Sequence, residues 1–172
     1  TCRCMEQCLR ALGKNVGVYS SPHLVDYRER VRINDAMPEE EHFCQAFQAI
    51  ERMRGDTSLT YFEFVTLAAL WMLHRANLDV ILLEVGLGGR LDATNIVDSQ
   101  LAVITSIGLD HQEFLGDTLE SVGFEKSGIF RTEIPIVLGE RNPPDVMLQS
   151  AYKNSQSAVM RKGKDFDFTI NT

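Results

Sequence analysis

The sequence predicts an α/β fold: a doubly wound, mostly parallel sheet with helices on both faces. Three observations lead there. Short apolar runs at 16–19, 80–83, 101–107 and 136–138 alternate with longer segments of helical period, the order expected of parallel strands joined by right-handed crossovers. The run Val80-Ile81-Leu82-Leu83 is apolar without alternation, which reads as a strand covered on both faces. Chemically capable side chains follow the strand runs directly, namely Ser20 and Ser21, then Glu84, then Asp110 and His111, and open α/β sheets bind ligands outside the carboxyl ends of their strands.

The elements follow in order. Cys2, Met5, Cys8 or Leu9, and Leu12 recur at helical spacing and Gly13 supplies a stop. The chain opens inside this helix without an initiator Met, which reads as a fragment whose amino terminus lies upstream of Thr1. Val16–Tyr19 is a short strand ended by Ser20-Ser21-Pro22-His23, since proline cannot continue a central strand. Residues 27–33 place Arg28, Arg30 and Arg32 in alternation with other residues, as an edge strand or an extended loop. Pro38 followed by Glu39, Glu40 and Glu41 marks a helix start. That helix runs to about Met53 and stops at Gly55; a second spans Thr60 or Tyr61 to about Ala76, burying Phe64, Leu67, Ala68, Trp71 and Met72. After the strand to Glu84 come a strand at 101–107, a helix at 119–130 carrying Lys126, a strand at 136–138, a helix at 146–158 and a terminal strand at 166–170.

Composition bounds the function. With 172 residues, 44% hydrophobic and 24% charged, the chain suits one soluble domain with a substantial core. A formal charge of -7 without a basic block argues against general nucleic-acid binding. The longest apolar run, 64–73, is too short to span a membrane and no signal peptide is visible. Cys2, Cys4 and Cys8 lack zinc-ligand spacing and read as reduced, small core residues of a cytosolic protein.

The stretch Glu84-Val85-Gly86-Leu87-Gly88-Gly89-Arg90-Leu91-Asp92-Ala93-Thr94-Asn95 carries the strongest site signal. A carboxylate capping an apolar strand asks for a cation or a partner, and the glycines let backbone approach a ligand, or form a turn with none. A dinucleotide fingerprint is not met, because Leu91 stands at its third glycine. Ser21, Glu84 and His111, with Lys126 one helix later, would meet in one crevice if their strands are neighbours. A Ser-His-Glu hydrolase lacks the G-x-S-x-G elbow, whereas hydroxyl and carboxylate suit a hard cation such as Mg²⁺ beside phosphate. His111 reads equally as a ligand or as a hydrogen-bonded core residue. A phosphate loop is not encoded: at Gly13-Lys14 and Gly163-Lys164, Cys8 and Ala158 replace the first glycine, and Asn15 and Asp165 the Ser/Thr.

The runs Gly17 to Leu24, Leu59-Thr60-Tyr61-Phe62-Glu63, Glu84 to Asn95, Thr105 to His111 and Glu125-Lys126-Ser127-Gly128-Ile129-Phe130 resemble, in this order, the dihydrofolate synthase/folylpolyglutamate synthase family of Mur-ligase relatives, in its bifunctional bacterial form. The resemblance implies an incomplete central ATPase domain at 1–172, with the phosphate loop upstream and the carboxyl-terminal domain absent, so that the chain alone is inactive. It implies an ATP-dependent ligase joining L-glutamate to dihydropteroate and to reduced folates through an acyl phosphate, monomeric and cytoplasmic. Carried over by position, Ser21 and Glu84 would hold Mg²⁺ and His111 a second Mg²⁺, with Glu84, His111 and Lys126 catalytic and Lys126 carbamylated. Thr60, Phe62, Arg90, Asp92 and Ala93 would bind the pterin or folate; nucleotide-binding residues are not assigned. Two alternatives remain, a P-loop-type nucleotide-binding module without ligase chemistry and a metal-dependent hydrolase.

Overall fold

Tyr19 and Leu83 lie opposite each other in a parallel pair, and this register organises the first half of the chain. The computed structural model describes residues 1–155 and 158–169 and divides into two units, Thr1–Gly86 and Leu87–Thr172. Each carries a three-stranded sheet among the described residues, in place of the single sheet expected from the sequence.

In the first unit, helix α1 (Cys2–Ala11) leads to strand β1 (Val16–Tyr19). A 3-10 turn at Tyr27–Arg30 leads to β2 (Val31–Ile33), and helices α2 (Glu40–Arg54) and α3 (Tyr61–Arg75) precede β3 (Val80–Leu83). The sheet order is β2-β1-β3, antiparallel then parallel, so the segment read as an edge strand or loop is a turn followed by an edge strand. Period two sorts the faces of β1. Val16 and Val18 meet Cys2, Met5 and Leu9 of α1, while Tyr19 joins Phe43, Ile50, Val65, Ala69 and Leu73 of α2 and α3. Gly17 lets α3 approach, since a methyl group there would lie 2.5 Å from Leu78 Cδ1 and 2.6 Å from Leu73 Cδ2. Thr60 caps α3 reciprocally: its Oγ1 accepts from the Glu63 N–H at 3.2 Å, and Glu63 Oε2 accepts from the Thr60 N–H at 2.7 Å.

Three expectations fail here. Strand β3 is not covered along its whole length, since Ile81 is 44% exposed, and it is an edge strand that pairs with β1 alone among the described residues. The cysteines are free, with Cys4, Cys8 and Cys44 exposed and Cys2 half-buried, rather than core residues. The buried residue of α1 is Glu6, with Leu12 exposed. Its Oε2 accepts from Arg32 Nε at 2.9 Å and Arg3 Nη1 at 3.0 Å, so two guanidinium groups compensate a carboxylate under the sheet.

The second unit holds β4 (Ala102–Ile104), a short helix α4 (Gln112–Leu115), α5 (Leu119–Ser127), β5 (Ile136–Leu138), α6 (Asp145–Asn154) and β6 (Val159–Arg161). Its sheet β4-β5-β6 is wholly parallel. Ala102, Ile104, Ile136 and Leu138 pack with Met147 and Ala151 of α6 and with Phe130. Helix α5 ends at Ser127 with Gly128 as its C-cap, short of Phe130, and α6 ends at Asn154. The final strand is β6. Of the strand expected at 166–170, Phe166 forms an isolated bridge with Lys162, Asp167 to Thr169 are irregular, and Ile170 lies outside the described residues. The Lys162 N–H already donates to the Leu138 carbonyl at 2.9 Å, so the chain runs on from β6 alongside β5 before turning at 163–165.

Candidate functional site

Parallel register brings Ser21 and Glu84 to one end of the sheet. Tyr19 opposes Leu83, and the Glu84 N–H donates to the Tyr19 carbonyl at 2.9 Å. Strands β1 and β3 therefore leave the sheet side by side, at the strand ends where such folds bind ligands. Beyond β1 the chain turns through a cis Ser21–Pro22 bond. Glu29 then holds the loop by accepting from the Leu24, Val25 and Asp26 N–H groups at 2.8, 2.9 and 2.7 Å; these bonds draw its carboxyl below the usual range. Glu84 is half-buried, and neither its carboxylate nor the Ser21 hydroxyl makes a hydrogen bond or ion pair among the described residues. Burial, and secondarily the Glu84 charge, push the Cys2 thiol up, which puts the start of α1 in the field of Glu84.

Two other residues of this unit, Arg30 and His23, were not singled out as site residues from sequence. Arg30 is 7% exposed, with its guanidinium carbon 5.7 Å from the Tyr27 ring centre and 5.8 Å from that of Tyr61. Its Nε donates to His23 Nδ1 at 2.9 Å. The signal available was its place among alternating arginines, which did not distinguish it from Arg28, bound to Asp26 at 2.7 Å. Thr60 borders a pocket of about 300 Å³ with Ser58, Leu59, Tyr61 and Phe64. Phe62 turns instead toward Tyr19, with ring centres 6.2 Å apart.

The second unit explains the glycine run by packing. Gly88 has φ +65°, and a methyl group on Gly89 would lie 2.9 Å from Ile129 Cγ2 and 3.0 Å from the Glu125 carbonyl oxygen. The loop thus lies flat on the end of α5, next to Lys126. Arg90 is clamped there: its Nη2 donates to Glu125 Oε1 at 2.8 Å, and its N–H to the Glu125 carbonyl at 2.8 Å. Asp92 closes the loop, accepting from the Leu87 N–H at 3.0 Å and the Thr94 N–H at 2.9 Å. Ala93 starts the 3-10 turn that Asp92 caps. Lys126 is half-buried, and its amine makes no hydrogen bond or ion pair among the described residues. His111 is an exposed residue with φ +48°, its Nε2 3.8 Å from Asp110 Oδ2. It is therefore not a core histidine. Among the described residues no group of three or more His, Cys, Asp or Glu side chains gathers, and no helix is long and apolar enough to cross a membrane.

Fold and strand-end chemistry define an α/β domain of the ligand-binding, parallel-sheet class. No family profile matches the chain, but individual relatives do. It is 52% identical over 171 residues to the dihydrofolate synthase/folylpolyglutamate synthase of Escherichia coli, covering 99% of this chain and 40% of that protein. It is 56% identical over 172 residues to the enzyme of the same name from Haemophilus influenzae, covering 99% and 39%. The solved E. coli structure with DHPP and ADP matches with a TM-score of 0.95 at 50% identity, over 99% of this chain and 41% of that one. A bifunctional enzyme with Mn, AMPPNP and L-glutamate bound matches at 0.92 and 51% identity, over 99% and 42%. The chain belongs to the dihydrofolate synthase/folylpolyglutamate synthase family, and it spans about 40% of the length of these curated relatives.

Proposed function

We propose that this chain forms part of the ATP-binding domain of a cytoplasmic, monomeric ligase that joins L-glutamate to dihydropteroate and to reduced folates. ATP would activate the acceptor carboxylate as an acyl phosphate, which the glutamate amine then attacks. The relatives bound to ADP with DHPP, and to AMPPNP, Mn and L-glutamate, support these substrates. Free, exposed Cys4, Cys8 and Cys44 accord with a reducing compartment. The observation that carries the reading is the half-buried Glu84, its carboxylate without a partner among the described residues, at the same end of the sheet as the Ser21 hydroxyl.

A hydroxyl and a carboxylate are hard oxygen donors, and they fit Mg²⁺. Bound there, Mg²⁺ would supply charge neutralisation at the ATP phosphates. His111 is proposed for a second Mg²⁺ and Lys126, as its carbamate, for a negative group. Thr60, Phe62, Arg90, Asp92 and Ala93 are proposed for the pterin or folate. Glu125 on Arg90 and backbone amides on Asp92 hold these two side chains in place. A phosphate loop is proposed outside the 172 residues, so this chain alone would not ligate.

In the complete enzyme Glu84→Gln is expected to lower kcat about 10²- to 10³-fold, the loss typical of one preorganised electrostatic contact, with thermal unfolding unchanged. Near-normal turnover at saturating Mg²⁺ would overturn the assignment.

A further inference from the structure

We propose that Arg30 is a receptor for a substrate carboxylate, a role that rests on the ligase reading above. Arginine stays charged in proteins, and a buried charge is costly unless paired. Arg30 is 7% exposed, yet no carboxylate pairs with it among the described residues. Nε is used by His23 at 2.9 Å. The two terminal amino groups make no hydrogen bond among the described residues, and neither is among the fully enclosed side-chain atoms that lack a partner. The Tyr27 and Tyr61 rings flank the guanidinium at 5.7 and 5.8 Å, and its terminal amino groups form the fork that matches a carboxylate in two parallel bonds.

Placement agrees with the ligation chemistry. The Ser20 N–H donates to the Arg30 carbonyl at 2.9 Å, so Arg30 stands across the β1–β2 pair from the residue preceding Ser21. Tyr61 opens the 15-residue helix α3, whose amino end also favours an anion. Both L-glutamate and a pteroyl acceptor carry carboxylates, so the subsite takes one of these two.

Steady-state kinetics of the complete enzyme with Arg30→Lys separates them. The variant keeps the charge and loses the fork. KM is expected to rise roughly 10- to 100-fold, the value of a charge-assisted paired contact, for L-glutamate if the incoming amino acid docks here, or for the pteroyl acid if the acceptor does. A merely structural role would lower kcat and thermal stability without this split. KM values for both substrates within twofold of wild type would overturn the proposal, as would a rise confined to KM for ATP. Should the variant not fold, the wild-type enzyme still decides. Its Arg30 Nε–H resonance is expected to shift on titration with L-glutamate or the pteroyl acid, and no shift with either would overturn the proposal. A wild-type control separates the two claims: ADP release that does not depend on both substrates refutes the ligase reading itself.

Discussion

At the scale of single residues, the unpartnered groups are the informative ones. Lys126 is half-buried at the end of α5, beside a glycine loop packed so closely that a methyl on Gly89 would lie 3.1 Å from the Lys126 carbonyl oxygen. If its amine works as a carbamate, Lys126→Ala in the complete enzyme is expected to lose activity and to regain part of it with millimolar formate or acetate. Full activity of Lys126→Arg, which cannot be carbamylated, would contradict this. Glu84 and Ser21 were legible in the sequence because strand ends are: an apolar run stops and a polar group follows. Glu6, Arg30 and His23 were not. Their importance lies in burial and in partners on other elements, and no local pattern marks a charge that tertiary packing will enclose.

At the scale of elements, the helices were read more closely than the strands. The segments forming α2 and α3 carry apolar period and start signals, and these fixed both ends within about two residues. Strands of three or four residues offer little pattern, so β6 was missed and its apolar neighbour at 166–170 was taken for it. Coverage of β3 was misjudged because an apolar run reports hydrophobicity but not which neighbours will be present. Gly17 shows how packing then becomes exacting. Gly17→Ala would press on Leu73 and Leu78 of the α3–β3 segment, and overpacking of this kind costs roughly 1–3 kcal/mol. A lower urea midpoint at unchanged slope is expected; an unaltered midpoint would mean that α3 yields freely.

At the scale of the whole molecule, identity with far longer relatives gives the family, and the two units described here hold the proposed residues in separate groups: Ser21, Glu84, Thr60 and Phe62 in the first, Arg90, Asp92, Ala93, His111 and Lys126 in the second. The first unit's strand register also has a kinetic side. Val16 pairs with Val80, so β1 and β3 meet only after β2 and both helices of the long crossover have been drawn in. Closing so long a loop is entropically unfavourable, and non-local pairing slows folding. The α2–α3 hairpin, by contrast, is local in sequence. In pulsed hydrogen exchange during refolding, α3 amides are expected to become protected before the Glu84 N–H that bonds the Tyr19 carbonyl. Simultaneous protection would contradict that order. On that order acid and hydroxyl would become neighbours late in the life of a folding chain, and until then the nascent protein would carry its helices without the proposed cation donors side by side.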